Sequence, residues 1–99
     1  MESANEQKEI SRVNKLLCAH FGVKEEDMLE KNKNKNCVQA KSYALYYLHI
    51  EKGISISKLE RAYKLHRRVV FYHISKVKAY IEIYSTTRKE YKLLCDILR

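Results

Sequence analysis

The 99-residue chain contains no proline and only two glycines, so it offers few points at which a helix is forced to stop. Both glycines fall where a helical apolar pattern ends: Gly22 follows the pattern Ile10 to Phe21, and Gly53 follows Cys37 to Lys52. Glycine takes the left-handed conformation that closes a helix more readily than any other residue, and both positions read as such caps. No segment alternates apolar and polar residues as a half-buried strand would. The spacing predicts an all-α fold, a compact helical domain of about six helices over residues 10–99, preceded by a flexible N-terminus at residues 1–9.

In the first helix Ile10, Val13, Leu16, Leu17 and Phe21 recur at helical spacing, leaving Arg12 and Lys15 to solvent. Lys24 to Glu30 reads as a short turn of helix. Its Met28 and Leu29 dock on the first helix, and its acids Glu25, Glu26 and Asp27 suit the positive end of a helix dipole. From Cys37 to Lys52 the positions Cys37, Ala40, Ala44, Tyr47 and Leu48 form a stripe that Val38, Leu45 and Tyr46 widen, as expected of a central helix wrapped by others. Ser55 or Ser57 then caps a helix carrying Leu59 and Ala62. A longer helix follows from near His66, with Val70, Phe71, Ile74, Val77, Ile81 and Tyr84 at core spacing. Ser85 or Thr86 caps the last helix, whose apolar residues are Tyr91, Leu94, Cys95 and Leu98.

Charge is distributed unevenly. Residues 1–30 carry four basic and seven acidic side chains, a balance of −3, whereas residues 31–99 carry 16 basic and five acidic, a balance of +11. Such asymmetry points to a polyanionic partner. Two segments concentrate it. Lys31 to Asn36 alternates lysine with asparagine and reads as an exposed basic loop suited to phosphate or the minor groove. Residues 64–78 hold Lys64, Arg67, Arg68, Lys76 and Lys78 without one acid.

The second segment lies in the layout short helix, tight connection, second helix. That is the arrangement of a helix-turn-helix whose second helix enters a DNA major groove. Arg67 and Arg68 fall in the first turn of this second helix, where the macrodipole disfavours cations; their presence there suits an external anion, a phosphate or a guanine edge. Tyr63, Tyr72 and Tyr80 can stack on bases but read first as half-buried packing residues.

Other chemistries find no support. Cys18, Cys37 and Cys95 lie within apolar helical patterns and read as reduced core residues. The four histidines form no metal-binding or catalytic spacing, so neither metal nor cofactor is expected. No nucleophile–base pair or carboxylate pair emerges, and the expectation is a protein without enzymatic activity or a small-molecule substrate. No apolar run reaches membrane-spanning length and no signal pattern opens the chain, so the expected location is cytoplasmic and nucleoid-associated, with no membrane partner.

From about Ile10 to Leu98 the chain resembles the C-terminal DNA-binding domain of the bacterial replication initiator DnaA. The resemblance is carried by Phe21-Gly22-Val23 with Glu26-Asp27 and Leu29; the basic loop Lys31 to Lys35; Ala40-Lys41 with Tyr43-Ala44-Leu45-Tyr46; Gly53-Ile54-Ser55-Ile56; Leu59 with Arg61-Ala62-Tyr63; and His73 with Lys76-Val77, in common order and nearly ungapped. The closing segment Glu90-Tyr91 to Ile97-Leu98 fits as well. The resemblance implies a Trp-repressor-like helix-turn-helix. It also implies a loop residue in the minor groove, falling to Lys33 or Lys35, and a phosphate contact at Lys41.

The family's most diagnostic run, Gly-Arg-Asp-His-Thr-Thr-Val, is here Leu65-His66-Arg67-Arg68-Val69-Val70-Phe71. The aspartate and histidine are replaced by Arg67 and Arg68. An acceptor suited to a cytosine amino group thus becomes a donor suited to guanine O6 and N7, and the family's base code does not transfer. Val69 in place of threonine offers only an apolar contact, and lysines in the loop retain charge without the planar fork of arginine. No glycine-rich phosphate loop with Lys-Ser or Lys-Thr occurs, so this chain lacks the ATPase module of the full-length initiator.

The expected function is that of a stand-alone binder of double-stranded DNA in replication or transcription control, encoded by a phage or mobile element. Its contacts are expected from Lys31, Lys33, Lys35, Lys41, Lys58, Lys64, His66, Arg67, Arg68, Val69 and Lys76. The alternative is a protein-interaction or structural module that keeps the fold, has lost specific DNA reading, and turns its positive surface to an acidic protein partner.

Overall fold

The computed structural model describes residues 2–30 and 34–99. Among the described residues six helices make up the architecture: α1 (Glu2–Phe21), α2 (Glu25–Leu29), α3 (Lys35–Ile50), α4 (Ile56–Tyr63), α5 (Arg67–Ile83) and α6 (Ser85–Leu98). There is no strand among the described residues. The all-α expectation of about six helices is met.

The sharpest departure is at the start. The segment 2–9, expected as a flexible N-terminus, forms the first turns of α1. Its acids meet cations from elsewhere in the fold: Glu6 pairs with Lys58 of α4, and Glu9 pairs with Arg12 one turn on and with Lys52 Nζ at 3.6 Å. Solvent-reached pairs of this kind, half-buried here, contribute about 0.2–1 kcal/mol each. The segment holds no glycine or proline, and the helix extends through it toward the terminus.

Gly22 and Gly53 take φ of +68° and +67°. After α1, the Val23 N–H bonds the Cys18 carbonyl at 2.9 Å, and after α3 the Ile54 N–H bonds the Leu48 carbonyl at 3.0 Å. A Cβ added at either glycine would meet nothing within 4 Å, so backbone conformation and not space selects glycine there.

Asn34 caps α3, its side chain accepting from the Asn36 N–H at 2.9 Å. The helix therefore begins at Lys35, two residues before the expected Cys37, and Lys35 and Asn36 are helical rather than part of a loop. Lys31 and Lys33 lie outside the described residues. As expected, α3 is central and packs against α1, α2 and α5. Ala40, Ala44, Leu45 and Leu48 are wholly buried on it, and the two alanines, four residues apart, lie on one face where a neighbouring helix can approach closely.

The core joins Val13 and Leu17 of α1, Met28 of α2, Leu59 and Tyr63 of α4, Val70, Ile74 and Val77 of α5, and Leu94 and Leu98 of α6. All three cysteines are buried free thiols. Leu29, expected to dock with Met28, is exposed. The short α2 turns only Met28 inward, where its sulfur meets Cys18 Sγ at 3.6 Å.

Two core expectations, one on α5 and one at its C-cap, fail. Phe71 is 47 % exposed and Tyr84 is half exposed. The buried stripe runs Val70, His73, Ile74, Val77, and Phe71 stands about 100° around the helix from Val70. The place the sequence pattern gave to an aromatic ring is held by a histidine. At the α5–α6 junction the N-cap position belongs to Tyr84, which forms no side-chain cap, rather than to Ser85 or Thr86. Arg88 closes α5 from the other side, its Nε donating to the Ile81 carbonyl at 3.0 Å.

Candidate nucleic-acid interface

The unit α4–turn–α5 is built by three successive local decisions. Ser55 caps α4, Oγ accepting from the Lys58 N–H at 3.3 Å, and Leu59 and Tyr63 plant that helix in the core. Tyr63 also donates its hydroxyl proton to Asn14 Oδ1 of α1, satisfying the one polar atom its ring carries inward. Then Lys64 takes the left-handed conformation, φ +52°, and the Leu65 N–H returns to the Glu60 carbonyl at 3.1 Å. His66 finally caps α5, its Nδ1 accepting from the Arg68 N–H at 3.1 Å. Three residues thus separate the two helices, and α5 begins where the sequence placed it.

This cap fixes what α5 presents at its tip. Arg67, Arg68 and Val69 form the first turn and all are exposed. Arg67 is held sideways, its Nε 3.3 Å from Glu60 Oε1 of α4. Arg68, one residue on, carries no side-chain ion pair among the described residues. Farther along come Tyr72, 62 % exposed on the outer face, and at its edge the half-buried Lys76, whose ammonium lies 5.4 Å from the Tyr72 ring centroid. A cation over an aromatic face in this range is favourable by about 0.5–1 kcal/mol at exposed sites. Lys64 and Lys78 are exposed at the edges.

The inner face is pinned to α3. His73, 8 % exposed, shares a 2.6 Å hydrogen bond between its Nδ1 and Ser42 Oγ. Burial first, and then the nearby charges of Lys76 and Lys41, push its pKa down to about 4, so at neutral pH the ring is uncharged. This bond adds a polar pin to the buried stripe Val70, Ile74 and Val77 that turns α5 toward the core.

The remaining expected contacts divide. Lys35 is exposed on the first turn of α3. Lys58 is half-buried and paired with Glu6. Lys41 does not occupy the surface position expected of a phosphate contact: it is 7 % exposed, and its Nζ donates to the Glu30 carbonyl at 3.1 Å. Burial lowers its pKa. Its ammonium closes the carboxyl end of α2, a structural use of charge at a helix terminus. Lys31 and Lys33 lie among the residues not described.

Sequence reasoning missed three participants: Tyr72 as an exposed aromatic, Glu60 as the partner of Arg67, and the Ser42–His73 bond. Only the first had a usable signal, since Tyr72 falls two residues from Val70 and thus on the opposite side of the helix. No helix of the described residues is long and apolar enough to cross a membrane. No protein-family model matches the chain, and no curated protein matches it.

Proposed function

We propose that the protein binds double-stranded DNA by inserting the first turns of α5 into the major groove, with α4 bracing it from behind. The observation that carries this reading is the first turn of α5. Two adjacent arginines stand exposed at a helix N-terminus, Glu60 steers one, and the other has no ion-pair partner among the described residues. The dipole there favours anions over cations, so a protein-internal reason for Arg68 is lacking, whereas a guanine edge or phosphate supplies one.

The resemblance of the sequence to the DnaA domain supports the same reading. On that reading the protein is a site-marking or site-blocking DNA binder in replication or transcription control. Its base preference differs from the family's, because guanidinium donors stand where the family has an acceptor.

The test is binding to random duplex DNA at several salt concentrations. The reading predicts a steep salt dependence that flattens by about one counterion for each of Lys64 and Lys78 replaced by alanine. Binding independent of salt would overturn it.

One observation favours a second reading, a protein-interaction module: Phe71 and Tyr72 are large apolar surfaces exposed beside the basic rim. In that case Phe71→Ala abolishes capture of an acidic partner, and DNA affinity is weak and indifferent to Arg68.

A further inference from the structure

A groove of about 530 Å³ runs between the first half of α3, the middle of α5 and the start of α6. It is apart from the α5 tip and from the residues assigned to base reading. Its size lies within the range of small-ligand sites. Lys35 enters from α3 and Lys76 from α5, and Gln39, Thr86 and Thr87 bring an amide and two hydroxyls. The one acid lining it, Glu90, is engaged: its Oε1 accepts the Tyr43 hydroxyl proton at 2.7 Å.

Lys76 is the unusual member. It is half-buried, and no carboxylate lies within ion-pair distance among the described residues; its ammonium has only the Tyr72 ring. Burial lowers its pKa, which is the expected consequence of half-burying a cation with no carboxylate within ion-pair distance. An entering anion would offset that penalty. Beside the apolar Val38, Val77 and Tyr80, the hydroxyl, amide and ammonium groups of the lining can each donate to a tetrahedral oxyanion.

We propose that this groove is a phosphate-binding site, holding one phosphate group between Lys35 and Lys76 with donors from Gln39, Thr86 and Thr87. The phosphate can belong to the DNA backbone flanking the segment read by α5, which would extend the DNA reading, or to a free nucleotide. The chemistry of recognition is the same.

The test is an amide-resonance titration of the full chain with inorganic phosphate, adenosine monophosphate and a random duplex in turn. Inorganic phosphate produces a saturable shift at Gln39, Thr86 and Thr87. Lys76→Gln weakens it about tenfold, the effect of losing one charged contact worth about 1.4 kcal/mol. Lys35→Gln, on an exposed position, weakens it in the same direction and guards against a folding defect in the first variant. Arg67→Ala/Arg68→Ala leaves the phosphate titration unchanged.

A duplex that shifts the same three amides, with the nucleotide no tighter than phosphate, assigns the site to the DNA backbone. A nucleotide that binds more tightly than phosphate, with no duplex effect there, assigns it to a small ligand. No saturable shift at these amides with any of the three, or a shift that both lysine variants leave intact, overturns the proposal. Loss of duplex binding with phosphate binding retained would instead refute the DNA reading and leave the groove site standing.

Discussion

His73 makes a pH-dependent contribution that the structure allows to be worked out in sign and size. In the unfolded chain its imidazole titrates near the ordinary 6.5, and in the fold burial and the charges of Lys76 and Lys41 lower that to about 4. Between these values the unfolded chain binds a proton that the folded chain does not. Stability therefore rises with pH across this window, is fully present above pH 6.5, and is lost as pH falls toward 4.

At pH 5 the two binding curves give a loss of about 2 kcal/mol relative to pH 7. The perturbation is His73→Asn, whose side-chain amide can still bond Ser42 Oγ and does not titrate. Urea denaturation of both proteins at pH 7 and pH 5 cancels the contributions of the other histidines and the carboxylates. The wild type should lose about 2 kcal/mol more than the variant. Equal losses would refute the assignment of His73 as a neutral, buried pin between α3 and α5.

Other outcomes follow from particular positions. Leu48→Ala, at a wholly buried site on α3, should destabilise by about 2–5 kcal/mol in chemical denaturation; an unchanged midpoint would contradict its inward placement. Lys64→Gly should raise thermal stability by up to about 1 kcal/mol, because the left-handed conformation is disfavoured for a residue with a Cβ, and a fall would contradict the turn geometry. Lys41→Met should leave the salt slope of DNA binding unaltered, since the ammonium is spent on the Glu30 carbonyl, whereas flattening by about one counterion would restore a phosphate role. Arg67→Ala should lower stability by no more than about 1 kcal/mol through loss of the exposed Glu60 pair, and Arg68→Ala should leave the melting temperature unchanged.

Much of the fold is legible in the sequence because helix endings are chemically marked here. Gly22 and Gly53 stop α1 and α3, Ser55 starts α4, and the Val70–Ile74–Val77 spacing orients α5. What escapes the sequence depends on partners distant along the chain. The early start of α1 follows from Glu6 and Glu9 meeting Lys58 and Lys52, pairings that no local pattern announces. The burial of Lys41 follows from the carboxyl end of α2 lying over α3. Phe71 and His73 exchange roles because a polar residue can take an inward position once Ser42, 31 residues away, satisfies it.

The candidate site divides in the same way. Arg67, Arg68 and Val69 at the tip of α5 are readable from order and spacing, whereas the steering of Arg67 by Glu60 and the groove shared by Lys35, Lys76 and α6 need the fold.

Selection of duplexes from a randomised pool, carried out with the wild type and with Arg68→Ala, tests most directly whether α5 reads DNA. Base reading by Arg68 gives an enriched motif containing guanine, and loss of preference at one base position in the variant, a discrimination of about 1–3 kcal/mol. No enriched motif, or the same motif at the same strength from both proteins, would contradict it.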